Sequence, residues 1–342
     1  MDRAIVARRG DVLLNSTGTG TIGRSCVFNH PDTFVIDSHV TVLRPKDALL
    51  PEWLCLLLQS QWGQSHLESH CYAGSTNQVE LSRQELSHTS IPVPSLREQR
   101  RIAEMLAAIT GSVQALQTSI SKNQVMLSAF IQEKFSATDT YPCVALGSVA
   151  SVSGGVTLGR DIPEGASVEL PYLRVANVQD GYFDCTEMKR VRILQSEISR
   201  YSLESGDLVL TEGGDIDKLG RGAVWDGRIS PCLHQNHLFR VRCGERINPH
   251  YLALYASSTH GRAYFLSVAK QTTNLATINS SQVKSMPVPC PSLEEQNKVV
   301  AAAQVIEEQI YAAQTEQEKL HVLKQSMADD LLTGRVRVCN IP

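Results

Sequence analysis

Two stretches of the chain place apolar residues at alternating spacings of four and three. In the first, Ile102, Leu106, Ile109, Val113, Leu116, Ile120, Leu127 and Phe130 keep the rhythm, with Asn123 the one polar residue at a core-type place. In the second, Val299, Ala303, Ile306, Ile310, Ala313, Leu320, Met327 and Leu331 do the same, interrupted by Gln317 and Lys324. A 3.5-residue period sustained this far predicts coiled-coil helices rather than surface helices of one globule. A helix of about 38 residues is roughly 57 Å long, too long for a compact domain of this size. Each stretch opens on a Pro-Ser pair with Glu three residues after the Ser (Ser95 and Glu98, Ser292 and Glu295), the pattern of a capping box.

Ahead of each long helix the pattern changes to short β-branched or aromatic runs punctuated by Gly, Asp and Pro. Val209-Leu210-Thr211, Ala223-Val224-Trp225 and Leu238-Phe239-Arg240-Val241 predict strands, while 51–61 and 249–257 predict short helices. These segments answer one another at an offset of about 197 residues. Gly10-Asp11 matches Gly206-Asp207, Ile22-Gly23-Arg24 matches Leu219-Gly220-Arg221, and Ser38-His39-Val40 matches Asn236-His237-Leu238. Pro51-Glu52-Trp53-Leu54 matches Pro249-His250-Tyr251-Leu252, and Ser75-Thr76-Asn77-Gln78 matches Thr272-Thr273-Asn274-Leu275. Ile91-Pro92-Val93-Pro94 and Leu96-Arg97-Glu98-Gln99 match Met286-Pro287-Val288-Pro289 and Leu293-Glu294-Glu295-Gln296. The order is the same throughout, so the chain is a duplicated unit of a mixed α/β globule followed by a helical arm.

The expected fold class is therefore α+β: two mixed α/β domains joined by two long antiparallel coiled-coil helices in a pseudo-twofold repeat. The boundaries expected are 1–96 for the first domain, 97–136 for its helix and 137–142 for a linker. The second domain then takes 143–292, its helix 293–334 and a tail 335–342. Two similar but non-identical globules on a rod make a ruler, as two half-sites are read at a fixed spacing by symmetric DNA-binding proteins. The repeat is uneven. About 65 residues lie between Tyr141 and Gly206, but only nine precede Gly10. The first domain is expected to lack the opening third of the second. A misplaced start, a fragment of a split gene, a decayed copy or a half that pairs with another subunit would each account for this.

Charge sharpens the picture without setting the class. The formal net charge of the 342 residues is −3, so DNA affinity has to come from local patches or from a partner. Residues 97–136 hold five Lys/Arg against three Asp/Glu, and residues 291–334 hold three against eight, which suits pairing of the two helices. The nine cysteines form no C-x-x-C and read as reduced cytosolic thiols. No stretch has the length of a membrane span, and the N-terminus does not read as a secretory signal, so a cytoplasmic protein with no membrane partner is expected.

As a series, Gly206-Asp207, Leu219-Gly220-Arg221, Gln235-Asn236-His237, Thr272-Thr273-Asn274, Pro287-Val288-Pro289 and Glu295-Gln296 resemble the target-recognition domain of Type I restriction-modification specificity subunits. Tyr172 to Val178 with Gly181 matches that family's opening segment, and 331–336 the end of its second long helix. The resemblance covers nearly the whole chain. It implies a non-catalytic subunit that reads double-stranded DNA and binds methyltransferase subunits along its helices, and through them an ATP-dependent restriction subunit.

Catalytic readings find little. Gly18-Thr19-Gly20-Thr21-Ile22-Gly23 spells G-x-G-x-x-G, but Ser25-Cys26-Val27-Phe28 just after it reads as a strand, whereas a dinucleotide site needs a helix there to receive the pyrophosphate. No Asn/Asp-Pro-Pro-aromatic tetrapeptide, P-loop or H-E-x-x-H is present, so no catalytic residue, cofactor or metal is assigned. For DNA contact, Arg and Lys suit guanine or phosphate, and Asn and Gln suit adenine. The candidates are Arg174, Asn177, Arg221, Gln235, Lys270, Thr272, Thr273 and Asn274 in the second domain, and Arg24, Thr76, Asn77 and Gln78 in the first. Residues that recur suit fold or phosphate roles, so base readout is expected where the halves differ, at Lys189, Arg190, Arg192 and Lys218. His39 and His237 occupy matching places, open to either a shared base contact or a structural hydrogen bond. The rival to recognition is a truncated scaffold that binds methyltransferase subunits, or pairs with another specificity subunit, without reading DNA.

Overall fold

The computed structural model describes residues 5–75, 78–136, 141–271 and 276–338. They fall into two compact units, Met1–Ile120 with Tyr311–Pro342, and Ser121–Ile310.

The first unit runs through β1 (Ile5–Ala7), β2 (Val12–Asn15), β3 (Ser25–Val27), β4 (Phe34–Ile36), β5 (Val40–Leu43), α1 (Pro51–Gln59), α2 (Gln61–His66), β6 (Tyr72–Ser75), β7 (Gln78–Leu81) and α3 (Arg83–Ser87). It then enters α4 (Leu96–Ser136), a helix of 41 residues. Strand β2 is central in an antiparallel sheet ordered β3-β2-β5, with Val12 opposite Leu43 and Leu14 opposite Thr41. Side chains alternate along a strand, so Val12 and Leu14 share one face. That face packs on Leu54 and Leu58 of α1 together with Leu67, Cys71 and Leu81.

The second unit holds β8 (Cys143–Ala145), β9 (Ala150–Gly154), β10 (Ser167–Leu173), β11 (Lys189–Leu194), α5 (Ile198–Tyr201), β12 (Leu208–Thr211), β13 (Gly213–Gly214), β14 (Gly222–Val224), β15 (Leu233–His234) and β16 (Leu238–Cys243). It continues through α6 (Pro249–Ser257), α7 (Thr259–Val268), β17 (Lys270–Gln271), β18 (Ala276–Thr277), α8 (Ser280–Lys284), β19 (Pro287–Pro289) and α9 (Leu293–Leu332), a helix of 40 residues. The matching sheet here has four strands, β14-β12-β16-β9. Leu208, Leu210, Phe239 and Val241 face the helices, as Val12 and Leu14 do in the first unit. The opposite face differs. Val209, Ala223, Trp225 and Leu238 lie under Leu173, Val178, Phe183, Leu203 and Cys232. A further sheet, β11-β10-β15, adds its own core of Leu170, Tyr172, Ile193 and Leu233.

The heptad pattern is realised in both long helices. In the first unit Ile102 and Leu106 share a core with Leu331 and Leu332. Farther along, Gln317 Nε2 donates to the Val113 carbonyl at 3.3 Å and to Gln117 Oε1 at 3.0 Å. In the second unit Leu127, Phe130 and Ile131 pack on the core that holds Val300 and Ala303. Rising numbers on α4 meet falling numbers on α9, so within the first unit the helices are antiparallel. The polar entry Gln317 finds partners inside the seam, which is how a polar core position fixes register.

The motifs shared by the halves turn out to be joints. Gln99 and Gln296 are fully buried at the start of the long helices. Gln99 Oε1 accepts from Leu50 N–H at 2.8 Å, while its amide donates to the Ala48 and Pro94 carbonyls at 2.9 and 2.8 Å. Gln296 repeats the arrangement on Asn248, Arg246 and Pro291 at 2.8, 3.0 and 2.9 Å. Asp11 and Asp207 are also buried, each held by two guanidinium hydrogen bonds, from Arg44 and Arg242 respectively. Gly23 and Gly220 have φ of +82° and +67°, and a Cβ there would meet Tyr72 or Phe265 at 2.3 Å. Only glycine serves at those places. The capping boxes differ. Ser292 and Glu295 satisfy each other's backbone N–H reciprocally, whereas Glu98 turns its carboxylate to Arg337 and leaves only the Ser95 half of its box.

Candidate nucleic-acid interface

In the second unit the fold gathers predicted contacts from distant parts of the sequence. Strand β11 pairs with β10 so that Lys189 faces Tyr172 and Arg192 faces Glu169. Lys189, Arg190 and Arg192 are all exposed, and Arg190 also donates to the Glu169 carbonyl at 2.8 Å. Strand β15 runs parallel to β10 on its other side, with Leu173 beside His234. Arg174 and Gln235 therefore follow the ends of neighbouring strands, at the end of the sheet where β11 begins with Lys189. Gln235 N–H donates to the Leu173 carbonyl at 2.9 Å.

The next loop carries the strip onward. His237 Nδ1 lies 2.8 Å from Glu212 Oε2, and Glu212 leads into β13. Strands β13, β18 and β17 form a small sheet that sets Lys270 opposite Thr277, and Thr277 opposite Gly213. Lys218, exposed, forms an ion pair with Asp215 just beyond β13. Arg221 closes the same turn through its backbone, its N–H donating to the Lys218 carbonyl at 3.2 Å. The strip is basic but interrupted by Glu187, Glu212 and Asp215.

Not every candidate is available. Asn177 is buried, its Oδ1 accepting from Arg174 N–H at 2.9 Å and its amide donating to the Asp184 and Glu187 carbonyls at 2.8 and 3.1 Å. The loop's own backbone uses that amide fully, so Asn177 leaves the contact set. Arg174 is also tied down, donating to the Glu187 carbonyl at 2.9 Å. Thr272, Thr273, Asn274, Thr76 and Asn77 lie outside the described residues, as does the side chain of Gln78.

The first unit keeps part of this geometry. Arg24 is exposed just before β3, and β7 starts at Gln78. Thr17 bridges to Glu80 as Gly213 pairs with Thr277. His39 Nδ1 lies 2.8 Å from Thr17 Oγ1, so both matched histidines have a structural partner in the loop beyond the central strand. No counterpart of β10-β11-β15 exists among the described residues of this unit. The glycine run 18–23 forms turns that lead into β3, not into a helix. A dinucleotide site has no helix N-terminus to use there.

Tyr182 and Ile216 escaped the sequence reading. Both are exposed, on the loop after Gly181 and on the turn that holds Lys218. A lone apolar residue in a turn has no periodicity to give it away. The burial of Cys232 and His234 beneath the strip pushes that thiol up to about 12 and the imidazole down to about 4. Neither is poised for chemistry near neutral pH. Among the described residues no group of three or more metal-ligating side chains occurs, and no helix is long and apolar enough to cross a membrane.

Comparison with known proteins gives a consistent result. Residues 2–124 match the profile of the Type I restriction modification DNA specificity domain. The chain is 23% identical over 326 residues to the EcoKI specificity subunit of Escherichia coli K12, covering 87% of this chain and 69% of that one. It is 24% identical over 347 residues to the StySPI specificity subunit of Salmonella potsdam, covering 95% and 74%. The Type I restriction-modification S subunit of M. genitalium superposes with a TM-score of 0.59 at 15% identity, over 97% of this chain and 84% of that one. A chain from a structure of Type I system assembly superposes with a TM-score of 0.58 at 20% identity, over 98% and 85%. At these identities the superpositions speak for the fold.

Proposed function

The chain belongs to the Type I restriction-modification specificity subunits, and from that membership we propose that it recognises a bipartite, asymmetric double-stranded DNA sequence without itself doing chemistry. The observation that supports the reading is the duplicated globule with long helices paired within each unit, and it is joined by the exposed basic side chains of Lys189, Arg190, Arg192 and Lys218 in the second globule. Lys189, Arg190, Arg192 and Lys218, which the two halves do not share, read bases. Arg24 and Arg221 hold the backbone, together with the repeat-matched residues Thr76, Asn77, Gln78, Thr272, Thr273 and Asn274. Arg174, Gln235 and Lys270 flank them. Phosphate contacts position the protein and base edges specify the sequence, so the two sets should respond differently to substitution. The recognition domains are 1–96 and 143–292.

Methyltransferase subunits bind along the long helices, and an ATP-dependent restriction subunit joins through them. Val125, Met126, Val305, Tyr311, Val322 and Leu323 are exposed apolar side chains on those helices, more than solvated surfaces need and suited to a partner. The complex works in the cytoplasm. The rival reading, a truncated scaffold that binds methyltransferase subunits or pairs with another specificity subunit without reading DNA, draws on the lack of a β10-β11-β15 counterpart among the described residues of the first unit. Footprinting of the chain with its methyltransferase partner tests the proposal: two protected half-sites are expected, and protection of neither refutes it.

A further inference from the structure

In the second unit, residues 154–163 form a loop along the flank of β15. Gly155 lies so close to that strand that a Cβ there would meet the His234 carbonyl oxygen at 1.9 Å. Glycine alone allows that approach. Val156 then bridges in parallel to Gln235, donating its N–H to the His234 carbonyl at 2.8 Å and accepting from Asn236 N–H at 3.0 Å. Its side chain is fully buried, in the core that holds Leu170, Tyr172 and Leu233. At the far end of the loop Arg160 donates two hydrogen bonds to the Glu197 carboxylate, at 3.0 and 2.9 Å, and Ile162 is buried. Between these anchors Leu158 stands 40% exposed, followed by Gly159 with φ of +75°. A Cβ on Gly159 would meet nothing within 4 Å, so the tip of the loop stands in open space.

The position of the loop gives it a use. Strand β10, strand β15 and the bridge at Val156 all run parallel. Arg174, Gln235 and Thr157 therefore leave three neighbouring segments at the end of the sheet where Lys189 begins β11. Strands lie about 4.8 Å apart, so three spacings set the loop about 14 Å from Lys189, the length of about four base pairs. A single exposed apolar side chain is ordinary on any surface. Leu158 differs in that anchors on both sides fix its backbone while the side chain stays open to solvent. We propose that Leu158 is a specificity-determining residue, its side chain touching the methyl group of a thymine in the half-site that the second unit reads. The inference rests on the DNA-recognition reading above. Leucine has no donor or acceptor for a base edge, so the thymine methyl is the feature it selects in the major groove. Arg160 is a positioning residue, because its guanidinium is occupied by Glu197 and fixes the loop. A tip already fixed has little freedom to lose on binding, and a rigid contact discriminates better than a mobile one.

The test uses the full chain assembled with its methyltransferase subunit, and duplexes that carry each of the four base pairs in turn at every position of the footprinted half-sites. The unmodified complex should prefer an A·T or T·A pair at one position, about four base pairs from the position altered by Lys189→Ala. Leu158→Asn should flatten that preference about fivefold and leave the other positions as they were. Leu158→Met, which keeps an apolar contact, should retain it. Deoxyuridine in place of the thymine removes only the methyl group. It should weaken binding of the unmodified complex about threefold and leave Leu158→Asn unaffected. Arg160→Gln should lower the same preference at that position alone, and Arg160→Lys should restore part of it. A uniform loss across all sequences in Leu158→Asn would overturn the proposal, since it marks a fold or phosphate role. A G·C preference at the sensitive position, or indifference to deoxyuridine, would overturn it as well. Failure of the unmodified complex to protect either half-site would refute DNA recognition itself and the role of Leu158 with it, so the two failures are told apart.

Discussion

The same three-stranded sheet lies at the heart of both units and ends in two different states. In the second unit it is sealed on both faces and along the β16 edge; among the described residues of the first only the helix side is sealed. The joints between sheet and long helix are nearly identical in the two units, from the buried Asp to the buried Gln. What differs is the layer on the far side, and that layer carries Lys189, Arg190 and Arg192. The two units thus share a joint and differ in the cover, and under the proposed function the cover carries the residues that read bases.

Substitutions can break or sharpen this contrast. The largest difference is expected from the aromatic beneath the cover. Trp225→Ala empties a fully buried site and should cost about 3–5 kcal/mol. Phe28→Ala, at the matching half-buried place, should cost about 1 kcal/mol. Local stability from native-state hydrogen exchange measures each, since a chain of two units need not unfold in one step.

The next effect is confined to the second unit. Burial holds His234 neutral down to about 4, against an ordinary value of 6.5, and its Nδ1–H donates to the Tyr201 carbonyl. The unfolded chain takes up that proton first, so stability should be flat above pH 6.5 and fall by up to about 3 kcal/mol as pH drops towards 4. The matching residue in the first unit is Ile36, so exchange there should lack this component. Asn in place of His234 should abolish the slope attributed to it.

The joints, by contrast, should respond alike. Asp11→Ala and Asp207→Ala should each cost about 2 kcal/mol, because an arginine and a turn N–H lose a buried partner. Gln99→Ala and Gln296→Ala should each cost about 1–2 kcal/mol and loosen the first turn of the long helix. A large asymmetry in either pair would mean that the joints are not equivalent. Smallest is the capping contrast. Arg337 holds the Glu98 carboxyl below its ordinary range, whereas Glu295 closes its own helix. Glu295→Gln keeps a capping partner and should cost no more than about 0.5 kcal/mol. Glu98→Gln should instead free the tail, read as faster exchange at Val338.

Much of this was legible in the sequence because it is periodic or repeated. The long helices follow from 3.5-residue spacing, and even the interruptions at Gln317 and Lys324 sit on the partly buried stripe. The strands around Val209, Val224 and Phe239 follow from β-branched runs between turn residues. The roles of the shared motifs were less legible. Repetition marks Gln99 and Gln296 as alike, but a helix-docking amide and a base-reading amide are the same residue type. Asn177 misled for that reason: its amide serves a loop, and only burial reveals it. Tyr182 and Ile216 stayed hidden because a single exposed side chain leaves no pattern. Which edge and which side chains stay open was not legible, because that depends on strand pairing between distant residues, such as Gly154 with Phe239 and Ala150 with Cys243 in the second unit.

The most direct test of the central claim is an exchange of the second globule. Residues 143–289 are replaced by the corresponding segment of the StySPI relative, and the protected sequence of the assembled complex is read by footprinting. The account predicts one half-site changed, with the other half-site and the spacing between them untouched. A footprint unchanged in both halves, or altered in both, would contradict it.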